Sequence, residues 1–383
     1  MITLNKFEPG IHYYMELDKK LMKLAIKLAY KGKGKTFPNP CVGSVLSDCS
    51  GKVIGRGYHR RAGLPHAEVN CINSAKGSVT GSTLYVTLEP CCFFGKTPPC
   101  TDLIITSGIR RVVIGSEDPN PKVAGRGIAQ LRKAGLEVVS GVLNEETDIL
   151  IEDFRKYITK GEPFITVKAA FSLDGKIAAR TRDSKWISSE SSRKEAHYLR
   201  GINSGILVGA GTVFTDDPSL NIRLVRGYRD PVRIIIDRDL KTRRSAKMFS
   251  LPGKHILITS RSRLSEALKR FSGLNNIKVI SCSLNRARHF TWVEIFRKLG
   301  SEGLGSILVE GGSGIISSLI KQQAADKFIF FISPRLFGDS RAVPVLAGFS
   351  VKSVNSSFKL KVSEYRVIGE DIMLIGYPDY RRH

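Results

Sequence analysis

Acidic residues are scarce in this 383-residue chain: 35 Asp and Glu stand against 60 Lys and Arg, a net charge of +25. Such an excess attracts anions, whether nucleic acid, a membrane surface or a phosphorylated small molecule. The basic residues are dispersed, however, and the densest run, Lys241-Thr242-Arg243-Arg244-Ser245-Ala246-Lys247, is short. A nucleic-acid partner is therefore not expected. Long apolar runs are missing as well. No segment approaches the roughly 18 apolar residues of a membrane-spanning helix, so no membrane partner is expected. The N-terminal stretch has no basic segment followed by an apolar one, and a secretory signal is not expected. The cytoplasm is the expected location. Internal repeats, low-complexity segments and a complete G-x-G-x-x-G fingerprint are all lacking.

What is present is globular composition, 42% hydrophobic and 25% charged, at a length natural for two domains. Residues 1–16 read as a leader. Leu17, Leu21, Leu24, Ala25 and Leu28 recur at helical spacing, closed by Gly32 and Gly34. Strand-like runs at 42–46 and 53–58 flank the turn Asp48-Cys49-Ser50-Gly51. Strands at 83–88, 111–115 and 136–140 then alternate with helices, which predicts a sheet covered on both faces. A second α/β series begins around Lys160-Gly161-Glu162-Pro163, with strands at 164–170, 205–209, 232–237, 255–259, 277–281, 306–310 and 327–332. The expected organisation is a leader over 1–16, one domain over 17–160 and another over 161–383.

Seven cysteines are an odd number, and Cys91, Cys92 and Cys100 crowd together beside Pro90, Pro98 and Pro99. In a reducing compartment such a cluster reads as metal or catalysis before disulfide. Upstream, Leu64-Pro65-His66-Ala67-Glu68 places an imidazole and a carboxylate at the start of a helix. One imidazole and two thiolates leave a fourth zinc position open for water, the arrangement of a catalytic rather than a structural zinc. Glu68, two residues from the histidine, can carry a proton beside the metal without ligating it.

This H-A-E…P-C…C pattern resembles the cytidine/deoxycytidylate deaminase superfamily. Cys91 follows Pro90 directly and is taken with His66 and Cys100 as the zinc ligands; Cys92 is the alternative. The spacing to Cys100 is longer than the usual P-C-x-x-C. With Gly95-Lys96-Thr97-Pro98-Pro99-Cys100, Pro38-Asn39-Pro40-Cys41-Val42-Gly43 and Asp118-Pro119-Asn120-Pro121, it resembles the deaminase half of the bifunctional riboflavin-biosynthesis deaminase/reductase family. The resemblance implies that Asn39, Lys96, Thr97, Asp118 and Asn120 hold a phosphorylated aminopyrimidine ribotide, with Lys96 near its phosphate. Cys92 and Phe93 depart from the Ser-His of that family.

Three segments of the second half resemble the reductase part of the same family: Val167-Lys168-Ala169-Ala170, Ser184-Lys185-Trp186-Ile187-Ser188, and Ile307-Leu308-Val309-Glu310-Gly311-Gly312. The strand, glycine-rich turn and helix of the last can cradle a phosphate on bare backbone amides. The implied fold is a cytidine-deaminase-like α/β/α sandwich followed by a dihydrofolate-reductase-like α/β domain. The implied cofactors are Zn2+ and NADPH. Ala170, Trp186, Thr212, Asp216 and Gly312 are expected to contact NADPH. Ser184, Arg200, Leu220, Arg223 and Glu310 are expected to contact the ribotide, with Lys168 and Glu310 assisting proton transfer. The expected reactions are hydrolytic deamination, then reduction of the ribosyl group to ribityl, in a homo-oligomer. A reductase with a decayed deaminase is one alternative; a nucleic-acid-editing deaminase is another.

Overall fold

A computed structural model describes residues 9–95 and 98–380, with side chains from Tyr14 onward. The chain divides into two compact units, Met1–Lys160 and Gly161–His383.

The first unit runs α1 (Pro9–Ala29), β1 (Gly43–Ser47), β2 (Val53–Tyr58), α2 (Ala67–Asn73), β3 (Thr83–Leu88), α3 (Cys100–Thr106), β4 (Arg111–Ser116), α4 (Arg126–Lys133), β5 (Glu137–Ser140), α5 (Asn144–Leu150) and α6 (Glu152–Lys160). The helix α1 starts well before Leu17, so residues 9–16 are helical rather than a loose leader, and 1–8 lie outside the described residues. Nothing between Tyr14 and Leu17 breaks a helix, and Lys19 pairs with Glu16 one turn away at 3.1 Å.

The sheet order is β2-β1-β3-β4-β5, antiparallel around β1 and parallel from β3 onward. Alternation along each strand feeds two cores. Val45, Tyr85 and Val113 meet Leu21, Met22, Ala25 and Leu28 of α1 on one face. Leu46, Leu84, Val86, Val112 and Ile114 meet Cys71 of α2, Ile104 of α3 and Leu131 of α4 on the other. The result is an α/β/α sandwich. A forked pair of hydrogen bonds from Arg111 to Asp18, both at 2.8 Å, clamps α1 to the sheet.

The second unit runs β6 (Phe164–Ser172), β7 (Lys176–Ala178), α7 (Glu190–Ile202), β8 (Gly205–Gly209), α8 (Ala210–Asp216), β9 (Val232–Ile236), β10 (His255–Ser260), α9 (Leu264–Arg270), β11 (Ile277–Cys282), α10 (Trp292–Ser301), β12 (Ser306–Val309), α11 (Ser313–Lys321), β13 (Lys327–Ser333), β14 (Val343–Pro344), β15 (Leu360–Ile368) and β16 (Asp371–Pro378). Its nine-stranded sheet has the order β11-β10-β9-β8-β12-β6-β13-β16-β15. All neighbours are parallel as far as β13, and β16 and β15 close the edge antiparallel. The chain steps outward from β8 to β11, then returns to insert β12 between β8 and β6. That reversal opens a crevice at the carboxyl ends of β8, β12 and β6, where open α/β sheets bind ligands.

Candidate active sites

In the first unit, three segments converge on one point. His66 precedes α2, Cys91 follows β3, and Cys100 opens α3. The His66 Nδ1 lies 3.3 Å from the Cys100 Sγ and 3.5 Å from the Cys91 Sγ. A tetrahedral zinc with Zn–N near 2.05 Å and Zn–S near 2.3 Å sets N···S edges of about 3.5 Å. The donor set therefore fits zinc, with Nδ1 as the imidazole ligand. Among the described residues this is the one such His/Cys/Asp/Glu cluster. The Cys100 thiol, its backbone amide at 3.4 Å and the His66 imidazole together hold the Cys91 thiol well below its usual range. Cys91 is thereby favoured as a thiolate, the form that ligates metal.

Glu68, in the first turn of α2, is buried in the same cluster. Burial, and next the charge on Cys91, push its carboxyl up to about 7. Asn39 approaches through a histidine that no motif marks. Its Nδ2 lies 3.0 Å from the His59 Nε2, and the His59 Nδ1 lies 3.1 Å from the Pro65 carbonyl. The carbonyl can only accept, so Nδ1 carries the proton and Nε2 accepts from Asn39. That relay fixes the orientation of the Asn39 amide. The His59 ring packs edge-on to His66, with centroids 5.2 Å apart.

Asp118 is buried, and burial raises its carboxyl to about 6. Its Oδ1 accepts the Asn120 amide at 2.8 Å, which shapes the Asp-Pro-Asn-Pro loop. Glu89, another residue without a sequence motif, accepts the amides of Asp118, Gly125 and Ile128. It fixes that loop and the start of α4 onto the end of β3. Cys92 and Phe93 sit on the more open side, Phe93 being 37% exposed. Lys96 and Thr97 lie outside the described residues.

In the second unit two cavities adjoin at the carboxyl ends of the central strands. One, of about 400 Å³, is lined by Ser184, Gly209, Gly211, Thr212, Asp216 and the Gly312-Ser313-Gly314 turn. The Ser313 Oγ is buried there without a hydrogen-bond partner among the described residues. Cβ atoms built on Gly211 or Gly314 would meet nothing within 4 Å, which leaves the backbone open to a ligand. An orphaned hydroxyl beside bare amides at the start of α11 fits a cofactor phosphate.

The other cavity, of about 450 Å³, is lined by Lys168, Ala170, Trp186, His197, Arg200 and Glu310, and by Ser184 and Arg223. Arg200 forks onto Glu310 at 2.8 and 2.9 Å, and the Lys168 Nζ lies 3.8 Å from the same carboxylate. Burial alone would raise the Glu310 carboxyl; the Arg200 and Lys168 cations outweigh it and hold the group at about 2. Burial lowers the Lys168 ammonium, with Glu310 opposing and Arg200 adding to the fall. Trp186 is 63% exposed, with the Arg193 guanidinium 4.7 Å above its ring, so it is a cavity wall and not core. Leu220 does not line either cavity; it is buried in the core with Val213 and Leu240. His197 is brought into the site by helical spacing, three residues before Arg200 on one face of α7.

Residues 163–374 match the RibD C-terminal domain, and residues 15–116 match the cytidine and deoxycytidylate deaminase zinc-binding region. The riboflavin biosynthesis protein RibD of Aquifex aeolicus is 42% identical over 94% of this chain and 98% of its own length. RibD of Escherichia coli is 35% identical over 93% of this chain and 98% of its own. A crystal structure of the Thermotoga maritima diaminohydroxyphosphoribosylaminopyrimidine deaminase/5-amino-6-(5-phosphoribosylamino)uracil reductase superposes with a TM-score of 0.84 at 39% identity, covering 95% of this chain and 99% of that one.

Proposed function

This chain belongs to the RibD family, and from that premise we propose how its residues divide two reactions between them. The protein is a zinc-dependent deaminase and an NADPH-dependent reductase of riboflavin biosynthesis. It deaminates 2,5-diamino-6-ribosylamino-4(3H)-pyrimidinone 5′-phosphate and then reduces the ribosyl side chain to give 5-amino-6-ribitylaminouracil 5′-phosphate.

His66, Cys91 and Cys100 would hold zinc, whose chemistry when bound would be to make a water nucleophilic near neutral pH. Glu68 accepts a proton from the attacking water and delivers it to the departing amine, so that a C–O bond replaces the C–N bond and ammonia leaves. Asn39 presents its Oδ1 to the pyrimidine because its amide nitrogen is engaged by His59. Asp118 and Asn120 bound the ring, and Lys96 and Thr97 take the phosphate end.

In the reductase half Ala170, Trp186, Thr212, Asp216 and Gly312 would contact NADPH, which would supply the hydride. Ser184, Arg200, Arg223 and Glu310 surround the ribotide. The ribosylamine must open to an imine before its C1′ can take hydride, and its nitrogen must gain a proton. Lys168, with its lowered proton affinity and its tether to Glu310, delivers that proton. Two cavities of small-molecule size support a ribotide rather than a nucleic acid as partner. Seven unpaired cysteines support the cytoplasm. Tyr365 and Val367, each about three-quarters exposed on the edge strand β15, support self-association.

The observation that carries the deaminase reading is Glu68 buried against a His/Cys/Cys cluster of zinc dimensions. The test is Glu68→Gln. It should keep one equivalent of zinc and full NADPH oxidation on supplied deaminated ribotide, while ammonia release falls at least about a hundredfold. Normal ammonia release would remove Glu68 from the mechanism. A wild-type protein that oxidises NADPH on deaminated ribotide but releases no ammonia would be a reductase with a decayed first site.

A further inference from the structure

His197 stands in the reductase cavity with a fixed tautomer. The backbone amide of Arg223 donates to its Nδ1 at 2.9 Å. A nitrogen that accepts cannot carry a proton, so the imidazole is neutral and its single proton is on Nε2. Among the described residues no group is bonded to that Nε2, although the side chain is 95% buried and lines the cavity. Its surroundings are electropositive. Arg200, Arg223 and Lys168 all act on the ring against the one carboxylate, Glu310, and burial together with these cations depresses its proton affinity.

The cations around it are not equally available. One edge of the Arg200 guanidinium, Nε and Nη2, is taken by Glu310, and its Nη1 donates to the Asn221 carbonyl. The guanidinium of Arg223 donates to the Asn221 side chain and stands at the exposed mouth of the cavity. An anion entering here meets the Arg223 guanidinium and the His197 Nε2–H, and the histidine itself fixes the Arg223 backbone.

We infer that His197 is a substrate-binding residue of the reductase: it donates its Nε2–H to a phosphate oxygen of the ribotide while its Nδ1 anchors the Arg223 segment on the same group. This rests on the reading of the cavity as the ribotide site. Arg200, paired to Glu310 along one edge of its guanidinium, holds the carboxylate in place. A neutral donor suits this position, because it adds a hydrogen bond to the phosphate without adding a further buried charge beside Arg200 and Lys168.

The test compares phosphorylated with dephosphorylated ligand in the full-length protein. NADPH oxidation gives the KM for 5-amino-6-(5-phosphoribosylamino)uracil, and competitive inhibition gives the Ki of its dephosphorylated form. His197→Leu should raise that KM between about tenfold and a hundredfold, the range for a hydrogen bond to a charged group. It should leave the Ki of the dephosphorylated form, the KM for NADPH and ammonia release by the first unit within about threefold of wild type. His197→Gln, whose amide both accepts and donates, should recover most of the loss. A penalty equal on both ligands, or a glutamine no better than leucine, would make His197 a structural residue and overturn the inference. If the leucine variant does not fold, the same phosphate selectivity is read from His197→Asn, too short to reach both partners; unchanged selectivity there also overturns it. Wild-type protein that fails to oxidise NADPH on this ribotide would instead reject the assignment of the cavity.

Discussion

Replacing Glu310 by glutamine tests the electrostatics of the reductase site through stability. The carboxylate is almost fully enclosed, bound by two guanidinium nitrogens of Arg200 and 3.8 Å from the Lys168 ammonium. Its proton affinity falls from an ordinary 4.5 to about 2, equivalent to about 3 kcal/mol of folding stability at neutral pH. An amide of the same shape removes the charge and leaves two buried cations facing one another, so the loss should be about 3–5 kcal/mol. For a unit of this size that lowers its melting temperature by roughly 6–20 °C, read by differential scanning calorimetry at pH 7. The pH dependence has a definite sign. A carboxylate with a depressed native pKa contributes fully above its unfolded value of 4.5 and loses that contribution as pH falls toward 2. The gap between wild type and Glu310→Gln should therefore be constant from pH 7 to 5 and shrink by about 2 kcal/mol at pH 3. A variant melting within 2 °C of wild type at pH 7, or a gap that widens on acidification, would refute the premise that this carboxylate neutralises Arg200 and Lys168 in the interior.

Two further outcomes concern the first unit. Cys91→Ser should drop bound zinc from one equivalent per chain to a small fraction, measured by inductively coupled plasma mass spectrometry, and abolish ammonia release while NADPH oxidation on deaminated ribotide persists. Gly57→Ala should damage the same site from a distance. A Cβ there would lie 2.3 Å from the Ala67 carbonyl and 2.4 Å from the Cys71 amide, rigid backbone of α2 that cannot swing aside. The helix carrying Glu68 must then move, so ammonia release should fall at least about tenfold with a 1–3 kcal/mol loss of stability in urea titration; wild-type deamination would show that α2 has slack.

How much of this was legible in the sequence depends on the range of the interaction that defines each feature. His66 and Glu68, Cys91 and Cys100, and the Gly311-Gly312 turn are local words, and the pattern around each names its chemistry before any fold is known. The strand series is legible for the same reason: buried parallel strands such as Ile206-Leu207-Val208 and Ile307-Leu308-Val309 are apolar throughout. The β15–β16 hairpin went unread because β15 is an exposed edge whose charges, Lys361, Glu364 and Arg366, interrupt its apolar residues. Its signal was the turn, where Gly369 at φ +61° and Glu370 join Ile368 to Asp371. Helices α5 and α6 carry short apolar stripes between many charges and gave a weak period.

Glu89 and His197, which no motif marks, share another property: each works through the backbone of a segment distant in sequence. Glu89 receives three amides from 29 to 39 residues away, and His197 receives the Arg223 amide from 26 away. A backbone amide has no residue identity, so no motif can name its partner. These side chains also explain why the legible residues function. Asn39 has a defined face only because His59 is held in one tautomer by the Pro65 carbonyl. Arg223 has a defined position only because the His197 Nδ1 is there to accept its amide. The reacting groups announce themselves in sequence by their chemistry, whereas the groups that aim them are chosen by geometry, and a histidine with a fixed tautomer is well suited to that task because it offers one donor and one acceptor on opposite sides of a rigid ring.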